Sequence, residues 1–553
     1  MTTNASAGTD PDGAAAGAGA VADPTAVTAS VPTAEAAPPP AAEPAQDIHG
    51  MARLGRNIFT NWGAQAVQMV AGFVLPRMID HRLGQTTLGV WDLAWSLVVY
   101  FGLVQVGVTT SINRYVAYHR AKDDFEGINR VLSSIALVMR VMGATAFGLA
   151  ILFTYLVGPL FHERLGAHLT EARWLVLLLG LGLAVQISAT VYGSILTGLH
   201  RWDWHNGIHA ATNVLTLVVM VGALLMGQGV IGVAVAHVAG ETLGRSARMV
   251  VAYRLCPWLE IKRRHFRWAT AKEMLGFGGK AFLTYISQLL MNSSVSLLIA
   301  GHLGPAALAL YQRPVSLVRN FQVFVNKYAM VFSPTISSFQ GAGRRSEVRS
   351  LALKATRYGI YLSLPVLLTL VVFGGEVMRV WMGGRYADRL LVAVVVVGWS
   401  SQISYIPLYG ALVGLNLHGP YGFANLLAAG MALLGSYVAL GVLHAGVLGV
   451  AVAVSVPLTI MSGVYLPIYA CRRLEISPRA FWREVWRGPL LCALPYLACL
   501  VGARLLFRGS PLRAVAAGFG SGGLLLAIAY WRTALPESWK ARIRGLRLRR
   551  VSP

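Results

Sequence analysis

Charge is scarce in this chain. Asp, Glu, Lys and Arg together supply 13% of its 553 residues, about half the share of an average soluble domain, so a soluble globule is excluded. Cysteine is scarce too. Cys256, Cys471, Cys492 and Cys499 form no CxxC pair and have no His or Cys nearby at metal-ligand spacing, which argues against a disulfide framework or a zinc site. Cys492 and Cys499 lie seven apart in one apolar segment and read as small buried side chains. Residues 1–50 lack Lys and Arg altogether and hold 16 Ala, 7 Pro and six acids. Such a stretch cannot bury enough apolar surface to offset its ordering entropy, and a disordered tail is expected. Having neither a basic n-region nor an apolar h-region, it does not read as a signal peptide. Long hydrophilic connections are also missing, which leaves no room for a large soluble domain and would confine any catalysis to the helices.

What the chain does have is apolar sequence, 55% of the total. From Asn57 onward apolar runs recur, each long enough to cross ~30 Å of hydrocarbon at 1.5 Å per residue. Fourteen are expected, from 57–79 and 88–110 at the start to 488–506 and 512–531 at the end. The expected fold is therefore an all-α polytopic membrane protein of about fourteen transmembrane helices. The net charge of +24 does not point to nucleic acid, because the lysines and arginines lie mainly between apolar runs rather than in patches with stacking aromatics. By the positive-inside rule their distribution places both termini in the cytoplasm. Lys262, Arg263, Arg264 and Arg267 fall on that side, as do Arg344, Arg345 and Arg349. A stretch with Lys540, Arg542, Arg544, Arg547, Arg549 and Arg550 beside Trp539, Ile543 and Leu546 reads as a basic interfacial helix on anionic lipid.

The chain also matches itself. At an offset of 220, residues 68–101 and 288–321 share Gln68 with Gln288, Leu83 with Leu303, Gly84 with Gly304, Ser96 with Ser316 and Phe101 with Phe321, nine identities in all. The offset spans an even number of helices, so both copies cross in the same direction and are related by an axis along the membrane normal. Two pseudo-symmetric six-helix lobes, 51–255 and 256–470, are expected, with two additional helices in 471–531 and a basic tail at 532–553. Paired halves of this kind suit a transporter whose path opens alternately to each side.

Polar residues inside the spans mark the path. Asn57, Asn61, Gln65 and Gln68 share one helix face, Thr284, Gln288 and Asn292 another, and Arg313, Ser316, Asn320 and Lys327 a third. A charge at bilayer depth is costly, so it should face protein or a water-filled cavity. Arg140, Arg245, Arg248, Lys280, Arg313, Arg319 and Lys327 lie within spans against few acids, chiefly Asp92 and Glu241, so the interior is cationic and suits an anion such as phosphate. Glu241 and Arg245, four apart, read as a structural pair. Lys280 and Lys327 lie near span ends, where snorkelling is an equal reading. Asp92 could balance Arg313 or serve as a titrating coupling group. Pro76, Pro314, Pro365, Pro407, Pro457 and Pro495 fall inside spans, where each permits a kink.

These residues carry a family likeness. The stretch Leu83–Ile135, LGQTTLGVWDLAWSLVVYFGLVQVGVTTSINRYVAYHRAKDDFEGINRVLSSI, resembles the opening of polysaccharide transporters of the oligosaccharide flippase type, in the multidrug/oligosaccharidyl-lipid/polysaccharide exporter superfamily. The phrase ILTGLHRWDWHN, Ile195–Asn206, is similar as well, and the likeness covers about residues 52–535. The resemblance implies a flippase for undecaprenyl-pyrophosphate-linked oligosaccharide in the inner membrane, serving O-antigen, capsule or exopolysaccharide assembly, with no enzymatic activity and no cofactor. By location it implies a cationic cavity at Arg313, Arg319 and Lys280. Asn320, Gln68, Gln288, Asn292, Trp91 and Tyr311 would then meet the glycan. The implied partners are the lipid-linked oligosaccharide and membrane lipids, with the pathway's polymerase and glycosyltransferases, and no nucleic acid. A lipid II flippase remains open, as does a drug/cation antiporter, which would want an acidic lumen. A membrane glycosyltransferase, ligase or polymerase would need catalytic acids or His in a sizeable outer loop.

Overall fold

The computed structural model describes residues 48–105, 112, 115–116, 118–120, 122–199, 201–277, 285–330, 332–533 and 540. The alanine-rich tail, Lys280, Thr284 and the C-terminal basic stretch apart from Lys540 lie outside the described residues, as do the side chains of Asn57 and Asn61. Beyond the first turn of the first helix, everything described belongs to one unit, Ala52–Pro553.

Apolar sequence becomes helix because backbone polar groups in lipid have no water to turn to and must bond within their own segment. The first half runs through α1 (Ile48–Leu83), α2 (Gln85–Phe101), α3 (Phe125–Leu165), α4 (Leu169–Gly198), α5 (Trp202–Leu225) and α6 (Gly229–Leu255). A short α7 (Trp268–Phe277) leads to α8 (Tyr285–Leu303) and α9 (Pro305–Ala329). Then follow α10 (Phe332–Gly341), α11 (Arg345–Met382), α12 (Arg389–Gly414), α13 (Gly419–Gly441), α14 (Gly446–Arg473), α15 (Pro478–Val485), α16 (Arg487–Leu506) and α17 (Pro511–Thr533). The helix α12 breaks at Tyr405, so Pro407 sits in the first turn of a new segment rather than kinking a continuous one. Single π-turns interrupt α8 at Leu290–Ser294 and α14 at Ile460–Tyr465.

By length and composition, nine helical stretches among the described residues qualify as membrane spans, against the fourteen expected. One of them, Phe125–Gly198, contains both α3 and α4. The helices α1, α2, α6 and α9 do not qualify. The reason is local: α2 is 17 residues long, and α6 and α9 carry the charged residues Glu241, Arg245, Arg248, Arg313, Arg319 and Lys327 that lower their hydropathy. The qualifying helices divide into central and peripheral ones: α11 and α12 bury 61% of their most apolar window, whereas α5 and α17 turn theirs outward. Only 17% of the most apolar window is buried in α5 and in α17, and Leu506, Leu524 and Val218 are exposed, as lipid-facing side chains are.

The internal repeat is written into the backbone. Gly84 joins α1 to α2 at φ 90° and ψ 165°, and Gly304 joins α8 to α9 at φ 86° and ψ 171°. Around each, the same bonds recur: Gly84 N–H donates to Asp80 O at 3.0 Å and Leu88 N–H to Gly84 O at 3.2 Å, while Gly304 N–H donates to Ala300 O at 3.1 Å and Leu308 N–H to Gly304 O at 3.3 Å. A positive φ favours glycine, which explains why this identity stands out among the cheap aliphatic matches.

Candidate functional site

The two copies of the repeat meet through α2 and α9. A Cβ on Gly89 would fall 1.7 Å from the Pro305 carbonyl oxygen, so glycine lets the two helices approach backbone to backbone. Gln85 Nε2 donates to Ala306 O at 2.8 Å across the same seam. One to two turns deeper, Arg313 Nη2 donates to both Asp92 oxygens, at 2.6 and 2.5 Å. The side chains of this pair are only 4% and 13% exposed. Arg313 Nε remains buried without a partner, so the guanidinium keeps an unmet donor.

Arg319 is different. It is exposed although it lies 14 residues into α9, about 21 Å along the helix at 1.5 Å per residue. Asp92, Arg313 and Tyr311 are all within Coulombic range. Contact with lipid tails at this depth would exact a large cost, so protein or water is the surrounding an arginine here calls for. Arg319 forms no hydrogen bond or ion pair among the described residues. Asn320, one residue on, lies against α1, where a Cβ on Gly72 would sit 3.6 Å from its Nδ2.

The expected polar stripes are brought together in part. Asn292 Nδ2 donates to Gln288 O at 2.8 Å, Ser296 Oγ to Asn292 O at 2.7 Å, and Gln312 Nε2 to Ser296 Oγ at 2.6 Å. Tyr100 of α2 reaches Ser294 of α8. Gln68 is exposed on α1 and Gln288 half-buried on α8. Trp91 and Tyr311 are not brought to an accessible surface: they are 6% and 4% exposed and belong to the main apolar core. Trp91 packs edge-on against Trp95, which in turn meets His237. Their large rings stay where most contact area is available. Arg313 is likewise buried, because Asp92 reaches it.

Glu241 and Arg245 pair at 3.1 Å, as their spacing indicates.

Sequence reasoning missed a polar cluster at the end of α1, just before Gly84. Tyr386 OH donates to the Asp80 carboxylate at 2.6 Å, and Arg385 lies 3.5 Å from it. Arg77 donates to the carbonyls of Val380 and Trp381, and Trp381 Nε1 donates to Phe73 O at 2.8 Å. Asp80 is 4% exposed. The signal was an acid placed at a span end, four residues before the repeated glycine.

Comparison with known proteins fits this architecture. A lipid II flippase, MurJ, in an inward closed conformation superposes with a TM-score of 0.63 over 86% of this chain and 98% of its own, at 13% identity. An inward-facing multidrug resistance transporter of the MATE family, in the MOP superfamily, gives 0.59 over 77% and 98%, at 15% identity. The chain has the MOP superfamily fold. The sequence comparison is more specific than the fold: residues 132–390 match the family model of polysaccharide biosynthesis proteins. A Shigella flexneri protein named "Putative O-antigen transporter" is 23% identical over 332 residues, covering 57% of this chain and 75% of the relative. The resemblance to polysaccharide transporters read from the sequence is upheld. The curated relative and these solved structures are named as transporters or flippases, and with nine helical stretches long and apolar enough to cross a membrane among its described residues the chain is a multi-pass membrane protein.

Proposed function

We propose that this chain is a flippase that moves an undecaprenyl-pyrophosphate-linked oligosaccharide across the inner membrane for O-antigen, capsule or exopolysaccharide assembly. The observation that carries the reading is Arg319, an exposed cation deep along α9 beside the buried Asp92–Arg313 pair. A pyrophosphate is the group such a site suits, because guanidinium forks bind its oxygens through charge-assisted hydrogen bonds.

In this reading the lobes are residues 51–255 and 256–470, rocking about the α2–α9 seam, and the Asp80–Tyr386 cluster closes the outer side. The substrate enters from the cytoplasmic leaflet, where both termini lie, and its phosphates meet Arg319 first. Arg313, held by Asp92 with Nε unmet, becomes available when the seam shifts or Asp92 takes up a proton. Asn320, Gln68, Gln288, Asn292 and, in other conformations, Trp91 and Tyr311 face the glycan, while Lys280 adds charge to the path. Asp92 is thereby a gate for Arg313 and a candidate coupling group. The pathway's polymerase and glycosyltransferases are the expected partners.

Deleting the gene is expected to leave lipid-linked oligosaccharide on the cytoplasmic leaflet, and complementation with the wild type to clear it. Arg319→Ala, inserted and folded, is expected not to clear it. Accumulation of lipid II in place of an oligosaccharide carrier assigns the substrate to peptidoglycan instead. Full clearance by Arg319→Ala removes the phosphate assignment.

A further inference from the structure

A second cationic site lies apart from the α2–α9 seam, between α4, α5 and α6. Arg248 on α6 is 4% exposed and forms no hydrogen bond or ion pair among the described residues. Its Nε is buried without a partner. The acid within its Coulombic range is Glu241, and Arg245 already occupies that carboxylate at 3.1 Å. A buried guanidinium left over in this way is costly unless something anionic compensates it.

The surroundings are built for such a group. From the position a Cβ on Gly193 would take, His205 Nδ1 is 3.5 Å away and Arg248 Cδ 3.9 Å. The bare face of Gly193 therefore leaves the imidazole and the guanidinium stem side by side. His205 Nδ1 is buried and unpartnered, and so is Nδ2 of the adjacent Asn206. Arg245 and His209 add further nitrogen groups within Coulombic range of His205. The guanidinium and the amide are donors outright, and the imidazole becomes a second cationic donor on protonation.

We propose that this cluster binds a phosphate group, with Arg248 as its main ligand and His205 beside it. The chemistry is shared by a phospholipid headgroup and free phosphate. Depth favours the lipid. His205 lies three residues into α5, about 4.5 Å from Trp202 along the axis, and Trp202 and Trp204 are exposed at 38% and 43%, as aromatic residues are at headgroup level. The outer face of α5 carries exposed Val214, Leu215 and Val218, which acyl chains would cover. The site requires no transport and stands independently of the flippase reading.

The test uses the full-length protein purified in detergent, with melting temperature and bound lipid in native mass spectra as readouts. The probes are phosphatidylglycerol, diacylglycerol lacking the phosphate, and inorganic phosphate. Phosphatidylglycerol is expected to raise the melting temperature where diacylglycerol does not. Arg248→Gln should lose at least half of that rise and the retained adducts, with Arg248→Lys keeping part of both. His205→Phe, which leaves Arg248 in place, should weaken the rise and provides a second reading if Arg248→Gln folds poorly. An equal Arg248-dependent rise with inorganic phosphate alone supports the site and assigns it to soluble phosphate. A rise that survives both Arg248→Gln and His205→Phe, or no rise with any phosphate probe, overturns the proposal.

Discussion

Asp92 and Arg313 meet at 2.5 Å across 221 residues of sequence, one step out of register with the 220-residue repeat. The repeat aligns Asp92 with Gln312, so the pair is not a symmetric contact between equivalents. It joins an acid found in the first copy alone to a base found in the second alone, at the seam where the two copies pack. The pair thus holds the copies together and occupies a cation deep within the bundle.

Arg313→Ala is expected to strand a buried carboxylate and to lower stability by about 3–5 kcal/mol. Asp92→Asn combined with Arg313→Gln should recover most of the folded yield, because it leaves two neutral groups that can still hydrogen-bond. Transport by that double variant should remain at least about tenfold down if Arg313 also serves the phosphate, whose charge-assisted bond contributes roughly 1.5–3 kcal/mol. Melting temperature in detergent and leaflet accumulation of the lipid-linked sugar, read on the same preparations, separate the two roles.

Arg319 gives the opposite pattern. It has no partner to strand among the described residues, so Arg319→Ala should leave the melting temperature nearly unchanged while translocation falls at least about tenfold. Arg319→Lys should restore transport only in part, keeping the charge and losing the fork. A large drop in stability would mark Arg319 as a packing residue.

The close approach of α2 and α9 can be tested with one methyl group. Gly89→Ala places a Cβ 1.7 Å from a backbone oxygen, and the seam must move apart at a cost of about 1–3 kcal/mol or more. Gly72→Ala is the control, since its Cβ would make ordinary contact at 3.6 Å. Thermal unfolding should show a clear loss for the first and little change for the second.

Within α6, Arg245→Ala removes the partner of Glu241 at 3.1 Å and should reduce the yield of folded protein. Glu241→Gln with Arg245→Gln should bring it back, as a neutral hydrogen-bonding pair carries no stranded charge. Size-exclusion profiles of the single and double variants decide the matter.

How much of this was open to inspection in the sequence depends on the range of the interaction. Hydropathy is a property of a continuous segment, so the succession of apolar helices and the polytopic membrane class follow from composition along the chain. The repeat was legible because Gly84 and Gly304 each answer a local demand for positive φ, and Glu241 with Arg245 because four residues make one helical turn. Partners chosen across hundreds of residues were not legible. That Asp92 takes Arg313, one of two alternatives the sequence left open, that Trp91 and Tyr311 turn into the core, that Asp80 is capped by Tyr386, and that Arg248 is left without an ion-pair partner beside Gly193 all depend on which helix faces meet. Periodicity assigns a residue to a face of its own helix; only the packed bundle decides what that face touches.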